Sequence, residues 1–279
     1  MREFQDKVAV ITGAGRGIGR GIAIRCAREG MKVVLAGIGE ESLRLAEGDL
    51  KAQGAAVRSV QTDVSQVADV ERLAEETLRA FGSVDLLVNN AGVIVKKNTT
   101  EHTLADWRWV IDVNLWGVIH GVHVFLPIMR KQATPCHIVN LASTGGLTTG
   151  GSDPSYYATK HAVVALSESL HKEMRQASTQ VSVSVFCPGY VKSDLAGGDR
   201  NRPANLRNMP ADGAYEAELK SRYEAFGARV ATGMTPEEAA DHLFGALKQD
   251  RFYVLSHPTA KDNVQKRMED ILDERDPLP

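Results

Sequence analysis

Three polar side chains, Ser143, Tyr156 and Lys160, carry the most suggestive chemistry in this 279-residue chain. In the stretch SYYATKHAVVALSESL (155–170), Tyr156 and Lys160 lie four residues apart on a predicted helix, so they share one face. A free tyrosine hydroxyl titrates near ~10 and is a poor base at neutral pH. A nearby ammonium favours the phenolate. Each pKa unit is worth ~1.4 kcal/mol, so lowering the hydroxyl toward neutrality needs close, partly desolvated positive charge. Ser143 closes the predicted strand HIVNLAS, thirteen residues before Tyr156. Alone, a serine there satisfies local backbone. Beside Tyr156 and Lys160, a role in holding a substrate oxygen and steadying a developing alkoxide takes the lead. Asn114 interrupts an otherwise apolar helix and, on the residues alone, reads as a hydrogen-bonded core amide. Tyr157 is the rival base, but its partner at i+4 is His161, which offers no permanent charge, so it is read as structural.

A second feature lies at the N-terminus. KVAVITGAGRGIGRGIA (7–23) begins as a β-branched strand, turns through glycines and ends as a helix. The GxGxxG spacing does not fit, because positions 18 and 20 are Ile18 and Arg20. Thr12-Gly13-x-x-x-Gly17-x-Gly19 does fit. Backbone N–H groups and the positive end of the following helix then face an anion such as a diphosphate.

TGxxxGxG resembles the first motif of the short-chain dehydrogenase/reductase family, and further matches follow in order. Asp63-Val64 matches the family's adenine contact, and Asn89-Asn90-Ala91-Gly92 its NNAG motif. Asn114, Ser143, Tyr156 and Lys160 match its catalytic tetrad, and Pro188-Gly189, with Val191 beyond, its loop beside the nicotinamide. The resemblance covers at least residues 5 to 193. It implies reversible hydride transfer between a nicotinamide cofactor and an alcohol or ketone. Tyr156 is then the acid/base and Ser143 the oxygen holder. Lys160 holds the nicotinamide ribose, and Asn114 steadies a water in a proton relay to Lys160. It also implies that Gly13, Arg16, Gly17, Ile18, Gly19, Asn90 and Gly92 contact the cofactor.

Cofactor choice turns on the end of the second strand, where NAD-preferring members place an acid. Here VVLAGIGEES puts Gly37 and Ile38, and Arg16 stands where many NADP-preferring members have a basic residue. The residues lean toward NADP over NAD. Val93, Ile94 and Val95, with Leu147 and Tyr190, suggest an apolar substrate pocket. VNLWGVIHGVHVFLPIM and FYVLSHP are similar to a bacterial subgroup that includes dehydrogenases of benzylic alcohols in aryl ethers. A bulky apolar or aromatic secondary alcohol is therefore expected. An epimerase or dehydratase holding its nucleotide tightly, or a non-catalytic dinucleotide binder, stays open; the complete tetrad argues against the last.

These residues need a scaffold that brings strand ends together. Apolar runs alternate with helix-periodic segments, the pattern of an α/β doubly wound, Rossmann-type parallel sheet in a single domain. Strands are predicted at Lys7–Thr12, Lys32–Ala36, Ala56–Gln61, Asp85–Asn89, His137–Leu141, Val181–Phe186 and Phe252–Leu255. Helices are predicted near 17–29, 40–53, 66–81, 103–131, 155–177, 235–249 and 260–274. Thr235-Pro236-Glu237-Glu238 reads as a helix start. The rhythm stops between Ser193 and Gly233, which is read as a substrate lid with at most a short helix near Leu219, Tyr223 and Phe226. Arg200, Arg202 and Arg207 within it are read as a solvated face.

Lys plus Arg number 33 and Asp plus Glu 35, a balance that argues against nucleic acid as partner. Three scattered cysteines fit neither a metal site nor a disulfide framework and suit a reducing compartment. His120 and His123 lack a third ligand nearby, so no metal is expected. The charged N-terminus shows no signal peptide, and the apolar stretch 109–129 carries Asp112, Asn114, His120 and His123, too polar for a lipid span. The expectation is a cytoplasmic enzyme acting on a small molecule, away from membranes. By the resemblance it is a homodimer or homotetramer paired through its long helices.

Overall fold

The computed structural model describes residues 1–209 and 213–277. β-Branched and aliphatic runs form the strands: Val8–Thr12 (β1), Lys32–Gly37 (β2), Val57–Gln61 (β3), Leu86–Asn89 (β4), Cys136–Leu141 (β5), Val181–Cys187 (β6) and Tyr253–Leu255 (β7). Among the described residues they make one seven-stranded parallel sheet in the order β3-β2-β1-β4-β5-β6-β7. The helices are Gly17–Arg28 (α1), Glu40–Ala52 (α2), Val67–Phe81 (α3), Leu104–Ile111 (α4), Gly117–Lys131 (α5), Pro154–Gln176 (α6), Gly213–Ala231 (α7), Pro236–Lys248 (α8) and Thr259–Leu272 (α9).

Strand side chains alternate between two buried faces, which is why β1 and β2 read as continuous apolar runs. Ala9, Ile11, Val33 and Leu35 meet Ile22 of α1, Leu43 of α2 and Phe244 of α8 on one face. Val10, Val34 and Leu87 meet Leu73 of α3, Phe125 of α5 and Leu170 of α6 on the other. The strand order reverses between β1 and β4, so their C-terminal ends splay into a crevice, the usual ligand position in such sheets. The expected capping of α8 is present: Thr235 Oγ1 accepts from Glu238 N–H at 3.2 Å, and Thr235 N–H donates to Glu238 Oε2 at 2.7 Å.

Two segments depart from expectation. The stretch 103–131 is not one continuous α-helix, because a π-helical turn, Asp112–Trp116, separates α4 from α5. There Gly117 N–H bonds Asp112 O, and Asn114 in this turn is fully buried. The apolar side of α5 packs on the sheet through Phe125 and Met129 against Leu87 and Ile138.

The second departure is 193–233, of which 210–212 lie outside the described residues. It carries three short 3₁₀ turns and a 19-residue helix, α7, where a short helix was expected. Phe226 and Val230 of α7 pack on Ile94, Tyr156 and Leu195. Arg222 grips Glu101 with two hydrogen bonds, 2.6 and 3.0 Å long. Arg202 also departs from the solvated reading, being 3% exposed. It reaches Asp106 of α4 at 2.7 Å and stacks over Trp109, with its guanidinium carbon 5.2 Å from the ring centre. Asp106 also takes Lys97 Nζ at 2.9 Å, Asn208 Nδ2 at 2.8 Å and Thr103 N–H at 2.9 Å. A fully buried carboxylate with that many donors ties the 202–208 segment to the body and holds its own pKa well below the usual range, against the opposing effect of burial.

Candidate active site

The glycine turn occupies the crevice between β1 and β4. Gly13 and Gly17 both have left-handed backbone, φ 65° and 52°. A Cβ on Gly13 would lie 2.8 Å from Asn90 Nδ2, and one on Gly19 would lie 2.4 Å from Gly13 O. Thr12 binds the two motifs together, a role its place in the sequence does not announce. Its Oγ1 accepts from Asn90 N–H at 2.9 Å and Ala91 N–H at 3.0 Å, while Asn90 Nδ2 donates to Thr12 O at 2.7 Å. At the start of α1 no side chain caps the helix and no acid sits in its first turn. Gly13, Arg16, Gly17 and Ile18 line the cavity there. An uncapped helix start on a glycine cradle fits the diphosphate of a dinucleotide.

The expected tetrad converges from three elements. Asn114 Oδ1 accepts from Val93 N–H at 2.8 Å and its Nδ2 donates to Val93 O at 2.9 Å, fixing the segment after the NNAG turn. Gly92 leaves room for the charged end of Lys160, since a Cβ there would lie 3.6 Å from Nζ and 3.4 Å from Asn114 Oδ1. Lys160, 4% exposed, donates to Leu141 O at 2.9 Å, and burial lowers its pKa to about 8. Its ammonium stands 5.7 Å from the Tyr156 ring centre. Burial pushes the Tyr156 hydroxyl up to about 12, and a hydrogen bond with the Ser143 side chain works against that rise. Ser143 Oγ also accepts from Gly145 N–H at 3.1 Å and lies 3.4 Å from Pro188 O, so its local backbone role and its place beside Tyr156 coexist.

One cavity of about 1170 Å³ runs from the end of β2 past the glycine turn to α7. Asp63, Val64, Asn90, Gly92, Ser143, Tyr156, Lys160, Pro188, Gly189, Tyr190 and Val191 all line it. Gly19 and Asn114 stand behind the wall. Two expected substrate residues do not reach it. Val95 is 1% exposed and packs on Trp109 and Val110, while Val93, Ile94 and Lys96 around it line the cavity. Leu147 packs with Val163 and Val164 of α6, since the 3₁₀ turn Thr144–Gly146 reverses the chain after Ser143. Residues not expected on the wall include Tyr157, Phe226 and His257. Tyr157 stands edge-on to Tyr156, ring centres 6.2 Å apart, and Gly145 and Gly150 make space for its ring. His257 falls within FYVLSHP, where the sequence assigns it no role; it meets the loop after β6 across 68 residues.

At the end of β2, Gly37 and Ile38 border the cavity beside Glu40 and Glu41. Arg16 Nη1 is held by Asp194 Oδ2 at 2.8 Å, a pair about half exposed on both sides.

Comparison with known proteins agrees with this geometry. The family model for short chain dehydrogenase matches residues 7–204. A "CLA biosynthesis dehydrogenase/reductase" of Lactiplantibacillus plantarum is 35% identical over 98% of this chain and 95% of its own length. A "1-deoxy-11-beta-hydroxypentalenate dehydrogenase" of Streptomyces exfoliatus is 32% identical over 96% of this chain and 89% of its own. A short chain dehydrogenase/reductase from Burkholderia phymatum, solved in complex with NAD, superposes with a TM-score of 0.95 at 43% identity, covering 100% of this chain and 99% of that one. With the ordered motifs, the sheet and these matches in hand, the chain belongs to the short-chain dehydrogenase/reductase family.

Proposed function

We propose that this protein is a nicotinamide-dependent oxidoreductase that interconverts a bulky, largely apolar or aromatic secondary alcohol and its ketone. The observation that carries the reading is convergence: the hydroxyls of Tyr156 and Ser143 and the Lys160 ammonium meet in the cavity that also holds the uncapped start of α1. The bound cofactor supplies the hydride carrier and, when oxidised, a positive charge that favours a phenolate. Reduction of a ketone uses Tyr156 in its neutral form, the form burial favours, as proton donor to the carbonyl oxygen. Ser143 donates a hydrogen bond to that oxygen and stabilises it as charge develops. Lys160, with a pKa of about 8, exchanges protons readily near neutral pH and restores the Tyr156 proton. Asn114 keeps the Val93 backbone in place beside it.

Ile94, Tyr157, Phe226 and Val230 border the substrate end and support a bulky apolar or aromatic substrate. The Streptomyces relative is named for a hydroxypentalenate, in keeping with such a substrate. The residues alone lean toward NADP through Arg16. With Arg16 held by Asp194, and Glu40 and Glu41 beside Gly37 and Ile38, the observations favour NAD, which the Burkholderia protein binds. The family resemblance implies a homodimer or homotetramer, and the three scattered cysteines suit a reducing, cytoplasmic compartment. Trp116, 47% exposed where α4 meets α5, supports pairing there, and light scattering tests it.

The test is NAD-dependent oxidation across a panel of benzylic and alicyclic secondary alcohols, wild type against Tyr156→Phe. Turnover of at least one alcohol by the wild type, lost in the variant while NADH binding persists, is expected. Undiminished turnover by Tyr156→Phe refutes the mechanism.

A further inference from the structure

The loop after β6, Pro188–Val191, lies on the cavity wall and is held from three directions. Toward β5, Pro188 O accepts from Thr144 N–H at 2.9 Å and lies 3.4 Å from Ser143 Oγ. Toward the exit of α7, Tyr190 O accepts from Met234 N–H at 3.1 Å, and Val191 pairs with Met234. A Cβ at Gly233 would lie 2.2 Å from Tyr190 O, so this approach needs glycine. The third hold comes from His257, just beyond β7 and outside the residues the family model matches.

Gly189 N–H donates to His257 Nδ1 at 3.0 Å, and His257 Nε2 lies 3.1 Å from Tyr190 O. A ring that accepts at Nδ1 carries its proton on Nε2, so it donates to Tyr190 O. One neutral imidazole thus spans two consecutive residues of the loop. The ring lies so close that a Cβ on Gly189 would stand 2.8 Å from its Cγ and Nδ1. His257 is also on the cavity wall itself, with Pro188, Gly189 and Ser143.

We propose that His257 is a positioning residue that holds Pro188–Val191 in the shape that receives the nicotinamide end of the cofactor; this rests on the oxidoreductase reading above. The ring acts through the loop rather than on the reacting atoms. Its effect therefore falls on ligands that carry the nicotinamide and spares those that stop at the second ribose.

The experiment measures dissociation constants for NADH and for ADP-ribose by fluorescence and calorimetry in the wild type, His257→Leu and His257→Asn. Leucine and asparagine have nearly the same shape, but only asparagine keeps an acceptor near the Nδ1 position. NADH affinity is expected to fall five- to tenfold in His257→Leu and to return to within twofold of wild type in His257→Asn. ADP-ribose affinity is expected to stay within twofold in both. Unchanged NADH affinity in His257→Leu overturns the proposal, as does an equal loss for NADH and ADP-ribose, which marks a merely structural residue. Should His257→Leu fail to fold, His257→Gln takes its place, since it displaces the acceptor while keeping a donor toward Tyr190 O, and the same fivefold loss is expected. A folded wild type that binds ADP-ribose but not NADH overturns the oxidoreductase reading itself and this proposal with it.

Discussion

Replacing Lys160 by methionine should make the fold less sensitive to alkaline pH while removing activity. Lys160 is buried with its ammonium on one backbone carbonyl, and its pKa falls from 10.5 to about 8 on folding. The depressed value means that folding penalises the charged form. The penalty is full below pH 8 and is relieved as pH rises from 8 toward 10.5, so wild-type stability gains over that window. A shift of this size is a penalty of about 3 kcal/mol at pH 7, and linkage leaves only about half of it at pH 9.5. Methionine removes the titration but strands the Leu141 carbonyl, a cost of about 1–3 kcal/mol that is the same at both pH values. The stability difference, Lys160→Met minus wild type, should therefore drop by about 2 kcal/mol between pH 7 and pH 9.5. Urea unfolding at fixed protein concentration, followed by circular dichroism at the two pH values, reads it directly. A difference independent of pH refutes the claim that Lys160 is held charged at a cost.

Asp106→Asn keeps the side chain's shape but leaves Lys97 and Arg202 buried without their carboxylate, and should cost about 3–5 kcal/mol in urea unfolding. Because Asp106 titrates well below its ordinary 3.8 in the fold, its stabilisation is full above 3.8, declines as pH drops below that, and is gone only once pH falls through the depressed folded value. The variant should accordingly lose less stability than wild type between pH 5 and pH 3. Asp194→Ala frees Arg16 from an exposed pair worth about 0.2–1 kcal/mol, so NADPH should gain on NADH by up to about fivefold in direct binding. Gly13→Ala, at a left-handed backbone position with its Cβ against Asn90 Nδ2, should abolish NADH binding while far-UV dichroism stays native.

The sheet, and the meeting of Ser143, Tyr156 and Lys160 at one cavity, were legible because they depend on local period and spacing. Tyr156 and Lys160 share a helix face by a separation of four, and the β1–glycine–α1 junction is contiguous in the chain. What was not legible depends on distant partners. Val95 looked like pocket lining by composition, yet its packing on Trp109 and Val110 of α4 takes it off the wall. Leu147 sits one residue beyond a 3₁₀ turn whose reversal no apolar pattern announces. Arg202 reads as solvated until Asp106, 96 positions earlier, is brought against it. The length of α7 was hidden because its amphipathic pattern is weak, with Phe226 and Val230 as its buried residues. The partner of Arg16 is likewise distant: Asp194, from the segment after β6, reaches it in the glycine turn.

The central claim is tested most directly by titrating nucleotide-free wild-type protein with NADH and with NADPH, following the nicotinamide fluorescence. The account predicts saturable binding of both, with NADH the tighter, because Arg16 is engaged and acids flank the end of β2. Tighter binding of NADPH would contradict the cofactor assignment, and binding of neither by folded protein would contradict the oxidoreductase reading as a whole.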